Sequence, residues 1–160
     1  MAFTVQISGV DELSRKLKKL EDEAQGVVSQ ALYEGAGVLA DSVSQAVHGI
    51  ATEPFRYGTS ADRRKPSPEE KAILENARKG VAKFRQTAGG VNTSVGLQNS
   101  CYADLKGKSV PIPMIANAIN SGTSFMQAQP FIRKAKRQQG AAAAKIEEEL
   151  RTRLEKMGLD

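Results

Sequence analysis

Residues Gly35 to Ala40 read Gly-Ala-Gly-Val-Leu-Ala, the G-x-G-x-x-A order of a dinucleotide-binding loop. Such a loop holds a pyrophosphate only where a strand turns into a helix and free backbone N–H groups face the phosphates. Here Val27 to Glu34 already show helical spacing, and no strand–helix–strand unit surrounds them. Gly35 and Gly37 are better read as packing positions where another element, or a second subunit, approaches a helix backbone. His48 is the only histidine and Cys101 the only cysteine. A lone His is no zinc ligand set, and nothing flanking Cys101 supports a Cys–His nucleophile pair. Gly58-Thr59-Ser60 and Gly122-Thr123-Ser124 lack the lysine of a phosphate loop. The expectation is a protein that is not an enzyme, with no catalytic, cofactor-binding or metal-binding residues to assign.

Charge offers a different chemistry. The chain has 23 basic and 18 acidic residues, a formal net charge of +5. Between Arg56 and Arg85 nine basic residues face four acidic ones, so this stretch alone carries the whole surplus. Its densest point, Arg63-Arg64-Lys65, could face DNA or a partner protein, or simply be solvated. A second basic group, Arg133, Lys134, Lys136 and Arg137, opens the last helix, where cations oppose the helix dipole. Those side chains are expected to find acidic or phosphate partners outside the helix. Aromatic residues make up 5% of the chain, and no helix-turn-helix or zinc-finger spacing accompanies the cations.

The elements that must position these groups follow from periodicity. At 160 residues the chain is one domain, 1–160, able to bury a core built on Leu, Ile, Val and Ala. No apolar run is long enough to cross a bilayer and no signal-peptide pattern opens the chain, so an intracellular, soluble fold is expected with no membrane partner. Phe3, Val5 and Ile7 alternate as a strand. Val10, Leu13, Leu17 and Leu20 recur as an amphipathic helix after Ser8. Ala24 to Val47 is a long helix with a broad apolar stripe, ended by Gly49. Gly26, Gly35 and Gly37 each weaken it by up to about 1 kcal/mol relative to Ala, which tertiary or intersubunit packing must offset.

A basic, Pro-containing insertion follows at about 52–88, with a short helix over Glu69 to Lys79. Val91, Thr93, Val95 and Leu97 alternate as a second strand. Further strands between Gln98 and Pro113 are compatible with the Lys106-Gly107-Lys108 turn signal. Pro113 opens a helix whose apolar side is Ile115, Ala118 and Ile119, and Gly122 breaks it. The stretch Ser121 to Phe131 is read as an extended arm or edge. Its Phe125, Met126 and Phe131 pack either into the core or onto a neighbour. Pro130 starts one last helix, with Phe131, Ile132, Ala135, Ala142, Ile146, Leu150, Leu154 and Met157 on one side. The order implies an α+β fold: a small, mainly antiparallel sheet covered by long amphipathic helices, with a long charged loop inserted.

Taken in order, "ISGVDELSRKLKKLEDEA", the long Ala- and Val-rich helix, "GVNTSVGL", "MIANAINSGTS" and "QAQPFIRKA" resemble the tail-completion, or head–tail joining, proteins of long-tailed double-stranded DNA bacteriophages. The likeness spans nearly the whole chain, centred on Gly122-Thr123-Ser124 and on Ala128 to Phe131; Arg56–Thr87 is longer and more basic than that family's usual loop. The resemblance implies a structural virion protein, assembled in the host cytoplasm and resident in the neck or tail. It would form a six- or twelve-fold ring between the head connector or stopper and the tail terminator or tube, with DNA passing through without sequence specificity. Phe125, Met126, Pro130, Phe131, Arg133, Lys134, Gly35 and Gly37 become candidate interface residues, and Arg63, Arg64 and Lys65 a candidate DNA- or partner-facing loop. The alternatives are a tail terminator capping the tube, or a small basic nucleic-acid-binding protein.

Overall fold

The computed structural model describes residues 2–5, 21–77, 79–81, 85–87, 90–97 and 102–158. The helix expected from Val10 to Leu20 and the thiol of Cys101 lie outside these residues. The fold is α+β. Strand β1 is Ala2–Val5, followed among the described residues by helix α1, Glu21–His48. Helix α2 is Pro68–Asn76; strands β2, Lys79–Val81, β3, Arg85–Thr87, and β4, Gly90–Leu97, follow it. Strands β5, Tyr102–Leu105, and β6, Lys108–Pro111, lead into helices α3, Ile112–Ser121, α4, Phe131–Lys136, and α5, Gln139–Lys156.

Strand β4 organises the larger sheet. It pairs antiparallel with β1 in the register Phe3 to Val95, with β2 through Val81 to Val95, and with β3 through Gln86 to Val91. Val95 and Leu97 are buried, as two residues one period apart on a pleated face must be when helices cover it. Strands β5 and β6 form a separate antiparallel hairpin. Its two-residue tip has Lys106 at φ 56° and Gly107 at φ 75°, the pair of positive values that matches a hairpin's twist. The Asp104 carboxylate accepts from the Gly107 N–H at 2.9 Å and steadies the turn. The insertion thus contributes β2 and β3 to the sheet, strands that three-residue segments were too short to announce.

Helix α1 buries Val28, Ala31, Leu32, Ala36, Leu39, Val43 and Val47, a stripe at steps of three and four. Each such Val or Leu contributes about 1.5–3 kcal/mol when removed from water. Helix α5 runs antiparallel against it: Gly35 lies against Ala142 and Ile146, and Arg153 Nη1 donates to Gln30 Oε1 at 2.9 Å. A Cβ on Gly35 would collide with the Ile146 side chain and stand 3.0 Å from the Ala142 carbonyl oxygen. Gly35 therefore serves packing within the chain, which corrects its assignment to a subunit contact. At Gly37 an added Cβ would meet nothing within 4 Å among the described residues.

The single last helix is also corrected. The N–H groups of Arg137 and Gln138 reach back only three residues, to Lys134 and Ala135, so the chain tightens there and α4 and α5 are distinct. The break lets Phe131, Ile132 and Ala135 of α4, and Ala142 and Ile146 of α5, all reach the buried side. In α3 the buried residues are Ile112, Ile115, Ala116 and Ile119; Ala118 is only partly covered. No described helix is long and apolar enough to cross a membrane.

Candidate interaction surface

The basic insertion is built around Arg64, which is 7% exposed. Its guanidinium meets the Glu70 carboxylate twice, Nη1 to Oε2 and Nη2 to Oε1, each at 2.7 Å, and Nη1 also donates to the Lys65 carbonyl. Burial alone would push the Glu70 carboxyl up. The hydrogen bonds from Arg64 and from the Ser67 N–H, with the Arg64 charge, outweigh it and hold that carboxyl below its ordinary range. The same bond to Glu70, working against burial, raises Arg64. Arg64 therefore faces inward, and the expectation that it presents charge to DNA or a partner is corrected. Arg63 is exposed and Lys65 half-buried.

Local sequence explains why Glu70 waits there. Ser67 is the N-cap of α2: its hydroxyl accepts from the Glu70 N–H at 3.3 Å while Glu70 Oε2 accepts from the Ser67 N–H at 2.7 Å. Pro68, at the first helical position, fits the fixed φ of a helix start. The reciprocal cap satisfies two orphan donors and fixes the carboxylate that receives Arg64. Lys71 Nζ caps the other neighbour, donating at 2.7 Å to the His48 carbonyl at the end of α1. The His48 ring sits on Glu75 at 2.7 Å, and that hydrogen bond lowers the Glu75 carboxyl.

From this anchor the loop is pinned in three further places. Glu53 N–H donates to the Pro66 carbonyl, closing the loop's neck at 3.0 Å. Arg56 bridges Glu53 at 2.9 Å and both oxygens of Asp62 at 2.8 and 3.1 Å. The backbone of Arg64 pairs in parallel with the stretch around Met126: Arg64 N–H donates to Phe125 at 2.9 Å, and Gln127 N–H to Arg64 at 2.8 Å. Gly58 fits directly against the Phe125 carbonyl oxygen, where a Cβ has no room.

The expected arm from Ser121 to Phe131 is thus folded back onto the domain. Gly122, at φ 75°, turns the chain out of α3; the Thr123 hydroxyl then accepts from the N–H groups of Phe125 and Met126. Asn120 Oδ1 accepts from Ile132 N–H and so helps start α4. Met126 and Phe131 are core residues of the chain itself, Phe131 only 1% exposed, which settles their two open readings in favour of the core. Phe125 points outward at 51% exposure, and Pro130, Arg133 and Lys134 are exposed.

What the fold displays here is aromatic. Phe55 and Tyr57 stand edge to face with ring centroids 5.4 Å apart, and Tyr57 is 89% exposed. Lys106, at the tip of the β5–β6 hairpin, reaches over the Phe55 ring, and the Arg64 guanidinium lies 5.1 Å from it. Neither aromatic was singled out from the sequence. The signal was present: Phe-x-Tyr in a charged loop of an aromatic-poor chain, and Ser-x-x-Glu beside Pro68, the spelling of a capping box. Among the described residues no group of three or more His, Cys, Asp or Glu could hold a metal ion. Comparisons with protein-family models, curated proteins and solved structures returned no match.

Proposed function

We propose that this chain is a non-enzymatic structural subunit of a phage neck, assembling with copies of itself into a ring between head connector or stopper and tail terminator or tube. Double-stranded DNA would pass through that ring. One observation carries the reading: a loop tied by a buried bidentate ion pair holds Phe55 and Tyr57 at the surface. Rigid aromatic side chains with few rotatable bonds are the usual anchors of protein–protein contacts, and preorganising them lowers the entropy lost on binding. The ordered resemblance of the elements to tail-completion proteins supplies the setting. Mass spectrometry of purified virions tests it: the chain should be present at a fixed ratio to the connector, and its absence removes the proposal.

The nucleic-acid reading keeps Arg63 and Lys65 but loses Arg64 to Glu70. Phosphate binding through the two remaining cations would appear as DNA affinity that falls steeply with salt. No gel shift at low ionic strength would dispose of it.

A further inference from the structure

Two exposed surfaces of the chain carry charges of opposite sign. The first is the loop tip. Tyr57 protrudes beside Phe55, with Arg63 exposed on the same loop and Lys106 over the Phe55 ring. The second is the outward face of α1, where Glu34, Gly37 and Asp41 follow one another at steps of three and four and Tyr33 is 57% exposed. None of Arg63, Lys106, Glu34 and Asp41 forms an ion pair among the described residues.

Gly37 is the independent clue. A helix-interior glycine costs about 1 kcal/mol relative to Ala. Gly35 recovers this by admitting Ile146, whereas among the described residues nothing comes within 4 Å of a Cβ built on Gly37. A bare backbone notch between two carboxylates accommodates a flat ring flanked by cations. We propose that the Tyr57 loop of one copy docks on the Glu34–Gly37–Asp41 face of α1 in the next, with Arg63 and Lys106 opposite the two carboxylates. The contact joins two different patches, so it is heterologous and propagates to a closed ring or a filament. It rests on the self-assembling neck subunit proposed above and supplies its interface. A nucleic acid fits this pair of surfaces poorly: the α1 face is acidic, and Lys106 already covers the Phe55 ring on which a base would stack.

The full chain, sized by light scattering over a concentration series, gives the test. Gly37→Leu fills the notch from a Cβ position that meets no described atom within 4 Å and improves helix propensity, so its melting temperature should not fall while self-association weakens by about tenfold or more. Arg63→Glu should weaken association similarly. Mixing it with Glu34→Arg/Asp41→Arg should restore mixed oligomers that neither forms alone. A photo-crosslinking residue at position 57 should join two chains through the peptide containing Tyr33 to Asp41. Wild-type oligomers unchanged by Gly37→Leu, a crosslink to another segment or to DNA, or a wild-type chain that stays monomeric at every concentration each overturns the contact. The neck assignment is judged separately by virion content, so either idea can fail while the other stands.

Discussion

The α1–α5 seam and the 51–67 loop are both ordered, but opposite forces hold them. The seam is apolar: Ala31, Leu32 and Leu39 of α1 and Ala142 and Ile146 of α5 are buried, and its one special requirement is the missing side chain at Gly35. The loop has almost no apolar core. It stands on polar ties, Arg64 to Glu70, Arg56 to Asp62 and Glu53, and backbone bonds to Phe125, Gln127 and Pro66. Hydrophobic burial is non-directional, so the seam depends on shape and volume rather than on aligned donors and acceptors. A buried ion pair depends on alignment as well, because the attraction must repay the desolvation of both charges. A charged insertion can thus be ordered without an apolar core when one charge is taken inside and fully partnered, as Arg64 is by Glu70 and the Lys65 carbonyl.

The largest effects are expected at two buried side chains, one in the common core and one under the loop. Phe131→Ala should cost about 3–5 kcal/mol and lower the melting temperature of the whole domain, since its ring lies in the common core. A loss under about 1 kcal/mol would mean that the ring is not buried as described. Glu70→Ala should cost about 3 kcal/mol by leaving the Arg64 guanidinium buried and unpaired. Hydrogen exchange should then speed up in the loop and around Met126 together, while the α1–α5 seam stays protected. Uniform exchange across both regions would show that loop and seam open as one unit.

Acid probes the same pair. The Glu70 carboxyl is lowered in the fold, so its contribution is complete above the ordinary carboxylate value, about 4.3, and is lost as pH falls through the folded value. The loop should therefore loosen on acidification below that range, and Glu70→Gln should flatten the response. At Gly35, Ala should cost about 2 kcal/mol through overpacking against Ile146; a neutral change would show that α5 shifts aside freely. The smallest effect belongs to Arg63→Ala with Lys65→Ala, each within about 0.5 kcal/mol in chemical denaturation. A large loss there would place those side chains inside the loop's framework alongside Arg64.

Periodicity made much of the helical part legible in advance. The stripe of α1, the strand ending in Val95 and Leu97, the helix after Pro113 and the Gly122 break all follow from spacing and turn chemistry. The single last helix failed because the stripe from Phe131 to Met157 continues through the break at Arg137 and Gln138, and side-chain pattern does not record a backbone tightening. The aromatic surface was missed for another reason: Phe55 and Tyr57 sit in a segment with no period, where only long-range ties decide which way a ring points.

The α+β class, the long amphipathic helix and the excess of positive charge in the insertion can be read from residue order, because each depends on residues near one another along the chain. It takes the fold to show that Arg64 turns inward while Arg63 stays in water, that Met126 is core and Phe125 is not, and that Gly35 admits a neighbour while no described residue approaches Gly37. Adjacent residues of like type were separated by what each meets in the folded chain, whether near in sequence, as Glu70 is to Arg64, or far, as Ile146 is from Gly35. Direction at the surface is set by contacts, and contacts are a property of the folded whole.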